Sequence, residues 1–479
     1  MRSKPIVRML AGIVALVALV SPAAARERAD LLIRDANIVD VANGRILSGQ
    51  AVAVRGDTIV AVGPDSAIAR DYESDRNVNA AGKFVMPGLW DMHMHFGGGA
   101  ELANENKALL PLYVANGVTT VRDCAADISE FVLAWRSDVA AGRLLGPTIY
   151  TSGPKLEGYK PIWKGTLEVG TPDEVDAALD KLQAMKVDFV KITDNTLKPD
   201  IFLYAVKEAK RRGLRTSAHT PFALTIEQAA DDGLSSIEHI DYLIKAGSPK
   251  EAEIGKAYAA GKMTYGAASD AFVDSFDPAY ARGVYRRLAA KGIYVTPTLN
   301  MGRILAYLDR EDHSKDPDLA YIGPGLRKTY DWRVERAAKA TPEQVAARHR
   351  EYELSKRVLP MLVEAGIPIL AGTDAGYLNS FNYPGEGVHE ELERYVEAGL
   401  TPQQALVTAT ITGPAFLGHS DRYGALAGGK AADILILDSN PLEDIKATRA
   451  VRGVVLHGKW IDRAALDGLL DQAKAAAAG

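Results

Sequence analysis

The chain has 479 residues, of which 47% are hydrophobic and 24% are charged, and its 56 basic and 61 acidic side chains give a net charge of −5. This globular composition excludes a disordered, collagenous or disulfide-stapled protein. The mildly acidic balance, without a block of like charge, gives no reason to expect a nucleic acid as a partner. The single cysteine, Cys124, follows an apolar stretch and is predicted to be a buried side chain.

The first 25 residues have the pattern of a secretory signal peptide. Three basic residues precede an apolar run over 9–20, and small residues follow at Ala23 and Ala25. An uncleaved membrane anchor, the alternative, needs about 20 apolar residues, more than this run provides. We therefore expect cleavage after Ala25 and an exported protein, periplasmic or secreted, with no membrane attachment once the signal peptide is removed.

Short β-strands are predicted at both ends of the mature chain. Residues 26–83 contain β-branched runs separated by the turn signals Asn-Gly at 43–44 and Gly-Pro at 63–64, and residues 424–479 show a similar pattern before an alanine-rich helix. Neither segment is long enough to bury a core alone. We expect one small β-sandwich domain built from both ends of the chain, followed by a C-terminal helix.

Between these segments, residues 84–423 alternate between short apolar strands and amphipathic helices. Eight strands are predicted, at 84–95, 118–123, 148–152, 188–192, 216–219, 236–239, 293–298 and 367–373. This is the number of strands in a closed parallel (β/α)8 barrel, or TIM barrel, of the α/β class. In that fold the catalytic residues lie where the strands end and the following loops begin.

Two loops of the predicted barrel, 241–290 and 299–362, are much longer than barrel turns need. They follow the sixth and seventh strands, so they would cover the catalytic end of the barrel. We interpret them as lids that select the substrate. In the alternative interpretation they form a dimer interface, which leaves homo-oligomer formation open.

Candidate metal ligands occur at the ends of five of the predicted strands. His93 and His95 lie two residues apart at the end of the first strand, and the period of two directs both imidazoles to the barrel interior. Four other strand ends supply Lys191, His219, His239 and Asp374. Nitrogen ligands with one carboxylate favour Zn²⁺, with Mn²⁺, Co²⁺ and Fe²⁺ as alternatives.

Lys191 needs a separate explanation, because an ammonium group cannot bind a cation. Burial disfavours the charged form of a lysine, and the neutral amine can add CO₂ to become an anionic carbamate with two oxygens. Two alternatives follow: a carboxylated Lys191 that bridges two metals, or a single metal beside an unmodified lysine. We favour the first.

These features together resemble the amidohydrolase superfamily. The His-x-His motif after Pro-Gly-Leu, the strand-end lysine and histidines, Thr-Asp on the last strand and the closing GALAGGKAADILILD are similar to its binuclear, lysine-carboxylated branch. That branch includes imidazolonepropionase-like and prolidase-like metal-dependent hydrolases. The resemblance covers essentially the whole mature chain, but the segment 241–290 matches no substrate motif that we can assign.

The resemblance implies a set of roles for the six residues. One metal is held by His93, His95 and Asp374. The other is held by His219 and His239, and carboxylated Lys191 bridges the two. It also implies hydrolysis of a carbon–nitrogen amide bond by a hydroxide activated at two divalent ions, expected to be zinc, with Asp374 as the proton shuttle. The expected substrates are dipeptides, N-acyl amino acids or related small amides.

Residues that bind the substrate are less well specified. Tyr159, Tyr242 and Tyr265 are candidates for stabilising the oxyanion because they lie in predicted loops at the catalytic end. A substrate carboxylate could pair with Lys155, Lys160 or Arg303. We expect His389, after the eighth strand, to cap a helix or to support a ligand rather than to bind metal.

Two other functions are compatible with parts of this pattern. An esterase, lactonase or phosphotriesterase would need the same metal site, so the ligand set alone does not distinguish it from an amidohydrolase. A non-catalytic relative would be expected to have lost ligands, whereas this chain retains all six positions.

Overall fold

The computed structural model describes residues 26–478, and the predicted signal peptide over 1–25 lies outside the described residues. None of the helices between residues 26 and 478 combines the length and hydrophobicity required to cross a bilayer. The strands of this range form two main assemblies: a barrel of parallel strands and a mixed sheet built from both ends of the chain.

The barrel consists of two arcs of parallel strands. One arc has the spatial order Thr148–Thr151, Val118–Asp123, Leu89–His95 and Ala375–Gly376. The other arc contains Val190–Ile192, Thr216–Ala218, Ser236–Glu238 and Tyr294–Thr296, with the two-residue strands Leu156–Glu157 and Leu167–Glu168 at its edge. Backbone hydrogen bonds join the arcs on both sides, from Asp188 to Thr151 and from Met92 to Ala371, and Val295 bridges Ile369. This is the α/β barrel that the strand count predicts.

Helices follow the barrel strands and pack on their outer face. They are Ala103–Ala108, Leu110–Ala115, Ser129–Ala140, Pro172–Ala184, Pro199–Arg211, Ile226–Asp232, Glu386–Glu397, Pro402–Thr410 and Thr412–Leu417. The start of Pro172–Ala184 shows why these segments are helical: Thr171 and Glu174 form a reciprocal capping box, and proline occupies the first turn. The apolar side of this helix, which includes Val175 and Leu182, is buried in the main core.

The two long loops are largely helical. The first contains Asp241–Ala246, Glu251–Ala259, Tyr265–Asp274 and Pro278–Ala290, and the second contains Leu299–Tyr307, Pro324–Lys328, Asp331–Ala338 and Pro342–Glu364. They contact each other where the Ser269 hydroxyl donates to Glu351 at 2.9 Å. Since both follow barrel strands, they lie over the carboxyl ends of those strands.

The mixed sheet has eight strands: Leu31–Asp40, Arg45–Arg55, Thr58–Pro64, Asn77–Asn79, Phe84–Pro87, Ile434–Leu437, Val451–Leu456 and Lys459–Asp462. Its apolar side chains, such as Ile33, Val52 and Ile434, form a core of their own. Two helices accompany it, Asp65–Asp71 and the C-terminal Arg463–Ala478.

The strand predicted over 84–95 is divided in the structure. Phe84–Pro87 pairs with Ile434–Leu437 in the mixed sheet, whereas Leu89–His95 is the first barrel strand. The division falls at Gly88, where an added Cβ atom would lie 2.3 Å from the Thr119 hydroxyl oxygen. Glycine therefore permits the close approach with which the chain passes from one assembly to the other.

Candidate metal centre

The first barrel strand directs Asp91, His93 and His95 to one face, because side chains alternate along a strand. His93 Nε2 lies 3.3 Å from His95 Nε2. Asp374 Oδ1 lies 3.5 Å from the first of these nitrogens and 3.0 Å from the second. Three predicted ligands thus meet within the spacing of a single metal ion.

The second histidine pair lies beside the first. The Nε2 atoms of His219 and His239 are 3.0 Å apart, and the ring centres of His93 and His239 are separated by 5.1 Å. Both His239 and Asp374 have a left-handed backbone, with φ of 73° and 62°. Such conformations are costly for residues other than glycine and persist where the surrounding structure imposes them, often at functional sites.

The hydrogen bonds on the far side of the rings decide which nitrogen carries the proton. His93 Nδ1 lies 2.6 Å from Glu238 Oε2, and His95 Nδ1 lies 3.4 Å from the Ala125 carbonyl oxygen. His239 Nδ1 lies 2.8 Å from the Thr298 hydroxyl, which already donates to the Pro297 carbonyl and so accepts here. Each partner accepts a hydrogen bond, so Nδ1 is protonated and Nε2 presents a lone pair to the centre.

Burial keeps the imidazoles of His93, His219 and His239 neutral. Burial and then the charge of Lys191 lower the pKa of His93 to about 3, and burial lowers the pKa of His239 to about 4. The pKa of His219 is also held well below its usual value by burial and by Lys191. The lone pairs on His93 Nε2 and His239 Nε2 face the Nε2 atoms of His95 and His219 at 3.3 and 3.0 Å, a spacing at which neighbouring rings can share cations.

Lys191 lies close enough to this group for its charge to lower the pKa of His93, His219 and His239. Its side chain is 1% exposed, and its Nζ atom has no hydrogen-bond partner among residues 26–478. A buried amine without a partner is costly unless it is paired or modified. The donor set of four imidazoles, one carboxylate and one isolated amine therefore fits divalent metal ions.

Asp374 is ionised in this environment. Burial raises the pKa of its carboxyl, but contact with His95 and the proximity of His93 and His239 lower it by more, so its pKa lies well below the ordinary value. The Asn379 side-chain amide donates to Asp374 Oδ1 at 2.9 Å. Asn379 thus holds the same carboxylate oxygen that faces His93 and His95.

A second buried group, formed by His93, Cys124 and Glu238, also has the spacing of metal ligands. The Glu238 carboxylate is already satisfied, because Arg122 donates to both of its oxygens at 3.0 Å and two serine hydroxyls donate as well. Burial raises the pKa of the Cys124 thiol to about 12, which disfavours the thiolate that a metal requires. This group therefore supports His93, and the predicted burial of Cys124 is confirmed.

A family model with the description "Amidohydrolase family" matches residues 84–461, which is more than half of the chain. The chain belongs to the amidohydrolase family. It is therefore a hydrolase that acts on carbon–nitrogen bonds, and enzymes of this superfamily generally bind divalent metals. The resemblance inferred from the sequence motifs is confirmed.

Individual relatives extend over nearly the whole chain. The chain is 25% identical to the ochratoxinase of Aspergillus niger over 489 aligned residues, which cover 90% of this chain and 86% of the relative. A solved structure named "putative prolidase" from Bifidobacterium longum matches with a TM-score of 0.67 and 25% identity, covering 92% of this chain and 98% of that one. The bottromycin amidohydrolase structure matches with a TM-score of 0.70 at 20% identity, covering 93% and 90%, and shows the shared fold.

In this amidohydrolase, a cavity of about 470 Å³ opens beside the candidate metal ligands, with His239 and Asp374 in its wall. The two insertions form most of the remaining wall. Apolar and aromatic residues from them include Tyr265, Met301, Leu305, Trp332 and Tyr352, and the charged ones include Asp241, Arg333, Arg336, Arg348 and Glu351. The cavity has the size and mixed lining of a small-molecule site.

The three candidate tyrosines occupy different places. Tyr265 lines the cavity and stacks on Phe222 with 4.6 Å between ring centres. Tyr242 is buried and stacks on His219 with 6.1 Å between ring centres. Tyr159 is half exposed at the surface, where its hydroxyl donates to Glu174 at the start of a helix.

The three basic residues suggested for binding a substrate carboxylate also occupy different places. Lys155 is buried over Trp163, 4.8 Å from the ring centre, and burial followed by the charge of Lys191 lowers its pKa to about 8. Lys160 is exposed, and Arg303 pairs with Glu311 inside the second insertion. Lys155 is therefore the one of the three that lies near the candidate metal ligands.

His389 lies inside the helix Glu386–Glu397 and is not in either group of candidate ligands among residues 26–478, so its expected role as a helix cap or ligand support stays a prediction. It is fully buried, and its Nδ1 atom lies 2.9 Å from the Thr448 hydroxyl. The supporting residues Glu238 and Asn379 were not expected from the sequence. The sequence did contain an indication for Glu238, since it is an acidic residue within an apolar strand. Asn379 lies in an irregular loop whose sequence shows no such pattern.

Proposed function

We propose that this amidohydrolase cleaves the amide bond of small acyl amino acids, including dipeptides and N-acyl amino acids, with two divalent ions, expected to be zinc. The observation that carries the proposal is the convergence of imidazole lone pairs and the Asp374 carboxylate around the isolated amine of Lys191. The names of its similar relatives, ochratoxinase and a prolidase, agree with amide substrates.

We propose that Lys191 becomes a carbamate by adding CO₂. The amine is buried and its Nζ atom has no hydrogen-bond partner among residues 26–478, so an unmodified ammonium group would be left unpaired there. Carboxylation replaces the positive charge by a negative one with two oxygens. One ion would then be held by His93, His95 and Asp374, and the other by His219 and His239, with the carbamate shared between them.

When bound, such ions lower the pKa of a water ligand and polarise a carbonyl oxygen. The residues of the chain supply the remaining steps. Asp374, ionised and held by Asn379, accepts the proton of the attacking water and returns it to the leaving nitrogen. Glu238 and Thr298 keep the ligating rings of His93 and His239 in the required tautomer and orientation.

The cavity suggests the kind of substrate. Tyr265, Trp332 and Tyr352 offer apolar and aromatic surface for a hydrophobic group, while Arg336 and Arg348 offer positive charge for a carboxylate. A substrate with an apolar group on one side of the amide and a free carboxylate on the other satisfies both features.

The test is a hydrolysis screen with enzyme supplied with zinc and bicarbonate. N-acyl amino acids and dipeptides are compared with their C-terminal carboxamides, and the Asp374→Asn protein serves as the impaired control. We expect turnover of the acids, weaker turnover of the carboxamides and about 10²- to 10⁴-fold less turnover in the control. Cleavage of matched esters or phosphotriesters without cleavage of any amide would overturn the proposal in favour of the esterase-type alternative.

A further inference from the structure

The second insertion is tied to the loop that follows Asp374. Residues 329–333 make five hydrogen bonds with residues 378–380. Two of them come from the Arg333 guanidinium, from Nε to the Leu378 carbonyl oxygen at 2.8 Å and from Nη2 to Asn379 Oδ1 at 2.6 Å. The Trp332 indole donates to the same Leu378 carbonyl at 3.1 Å.

The contact with Arg333 determines how the Asn379 amide is oriented. A guanidinium group has donors and no acceptor, so it selects the amide oxygen. The amide nitrogen is then directed the other way, to Asp374 Oδ1 at 2.9 Å. If the Asn379 amide were flipped, its oxygen would face the Asp374 carboxylate and its nitrogen would face the Arg333 guanidinium. Both contacts would then be repulsive.

The loop between Asp374 and Asn379 needs these hydrogen bonds to hold its conformation. Asp374 and Leu378 both have a left-handed backbone, with φ of 62° and 68°. Asn379 is 4% exposed and Asp374 is 7% exposed, so solvent cannot replace the lost contacts easily. The oxygen that Asn379 holds is also the one that faces His93 and His95.

We infer that Arg333 and Asn379 are positioning residues that aim the Asp374 carboxylate at the metals and at the transferred proton. The insertion that lines the substrate cavity is then also part of the catalytic assembly. The inference deepens the proposed function and rests on it for the role of the proton. The geometry of Asp374 as a metal ligand does not depend on the substrate.

The experiment compares Arg333→Gln, Arg333→Lys, Asn379→Ala and the double variant Arg333→Gln/Asn379→Ala with the wild type. Arg327→Gln is the matched control, because Arg327 is exposed on the neighbouring helix Pro324–Lys328 of the same insertion. Steady-state kinetics separate kcat from KM. The visible spectrum of the cobalt-substituted proteins reports the ligand geometry without requiring turnover.

Supporting residues of this kind are worth about 10- to 100-fold in activity or metal affinity. We expect Arg333→Gln and Asn379→Ala each to lower kcat by about this factor, with little change in KM, and to shift the cobalt spectrum. Arg333→Lys keeps the charge but lacks the guanidinium that donates from Nε and Nη2 at once. This variant should therefore remain impaired. The double variant should be no worse than Asn379→Ala, since both changes break one connection.

Several results would overturn the inference. They are additive losses in the double variant, full activity of Arg333→Lys, or a change in KM alone. If Asn379→Ala does not fold, Arg333→Gln, whose side chain is only partly buried, decides the question. If the wild type cleaves no amide, the proposed function fails, while the cobalt spectra still show whether Arg333 and Asn379 position Asp374.

Discussion

His93 and Glu238 form a fully buried pair, with imidazole Nδ1 2.6 Å from carboxylate Oε2. Burial raises the pKa of Glu238, but the charge of Arg122 and the contact with His93 lower it well below its usual value. The ionised carboxylate accepts the Nδ1 proton, and His93 Nε2 is left free to bind a metal. The pair therefore sets the chemistry of a ligand without reaching the metal itself.

Glu238→Gln should weaken metal binding. The neutral amide can donate to Nδ1 as well as accept from it, so it no longer enforces the tautomer of His93, and Arg122 loses its counter-charge. We expect the affinity for zinc to fall by about 10- to 100-fold. Competition with a chelator measures the change, and thermal unfolding of the metal-free protein checks that the fold is intact. An unchanged affinity would contradict the assigned role.

Lys191→Ala should lose both metal and nearly all turnover, because the oxygens of the proposed carbamate disappear with the side chain. Short carboxylic acids such as propionate fit the space left by the carbamate and should restore part of both. Metal analysis and kinetics, with and without the acid, provide the measurement. The Asp374→Asn protein treated with the same acid should show no rescue. Full activity of Lys191→Ala without the acid would refute the bridge.

Asp374→Asn should keep its fold and part of its metal but lose the proton shuttle. General acid–base groups contribute about 10²- to 10⁴-fold, and we expect a loss of kcat in that range. The comparison is made at equal metal content, so that weaker binding does not account for the loss. Wild-type kcat in this variant would remove Asp374 from the proton transfer.

His389 should make the metal-free protein sensitive to acid. Burial and the charge of Arg449 lower its pKa to about 3, whereas an exposed histidine has a pKa near 6.5. The folded state therefore takes up fewer protons than the unfolded state between these values, and stability falls as the pH decreases. The contribution of His389 amounts to about 1.4 kcal/mol per pH unit below pH 6.5.

His389→Gln lacks this proton uptake, so its unfolding free energy should fall less steeply with acid than that of the wild type. Urea unfolding of both metal-free proteins at pH 7.5 and pH 5 measures the difference. Parallel pH dependences of the two proteins would show that His389 is not the group responsible.

Much of the candidate site follows from local pattern. His93 and His95 alternate along an apolar strand, and Lys191, His219, His239 and Asp374 fall at or near strand ends, so a parallel barrel brings them to one rim. Tyr159 shows the limit of that reasoning. It lies in a predicted loop, yet the structure turns it to the surface beside Glu174, because loop direction depends on packing rather than on periodicity.

The alternation of strands and helices, the ligand residues and the lengths of the insertions are determined by the sequence itself, because hydrophobic period and residue type act over a few neighbouring positions. The tautomers of His93 and His239, the orientation of Asn379 by Arg333 and the walls of the cavity are decided only in the tertiary structure. Each depends on hydrogen bonds between residues tens to hundreds of positions apart, such as the 145 that separate His93 from Glu238.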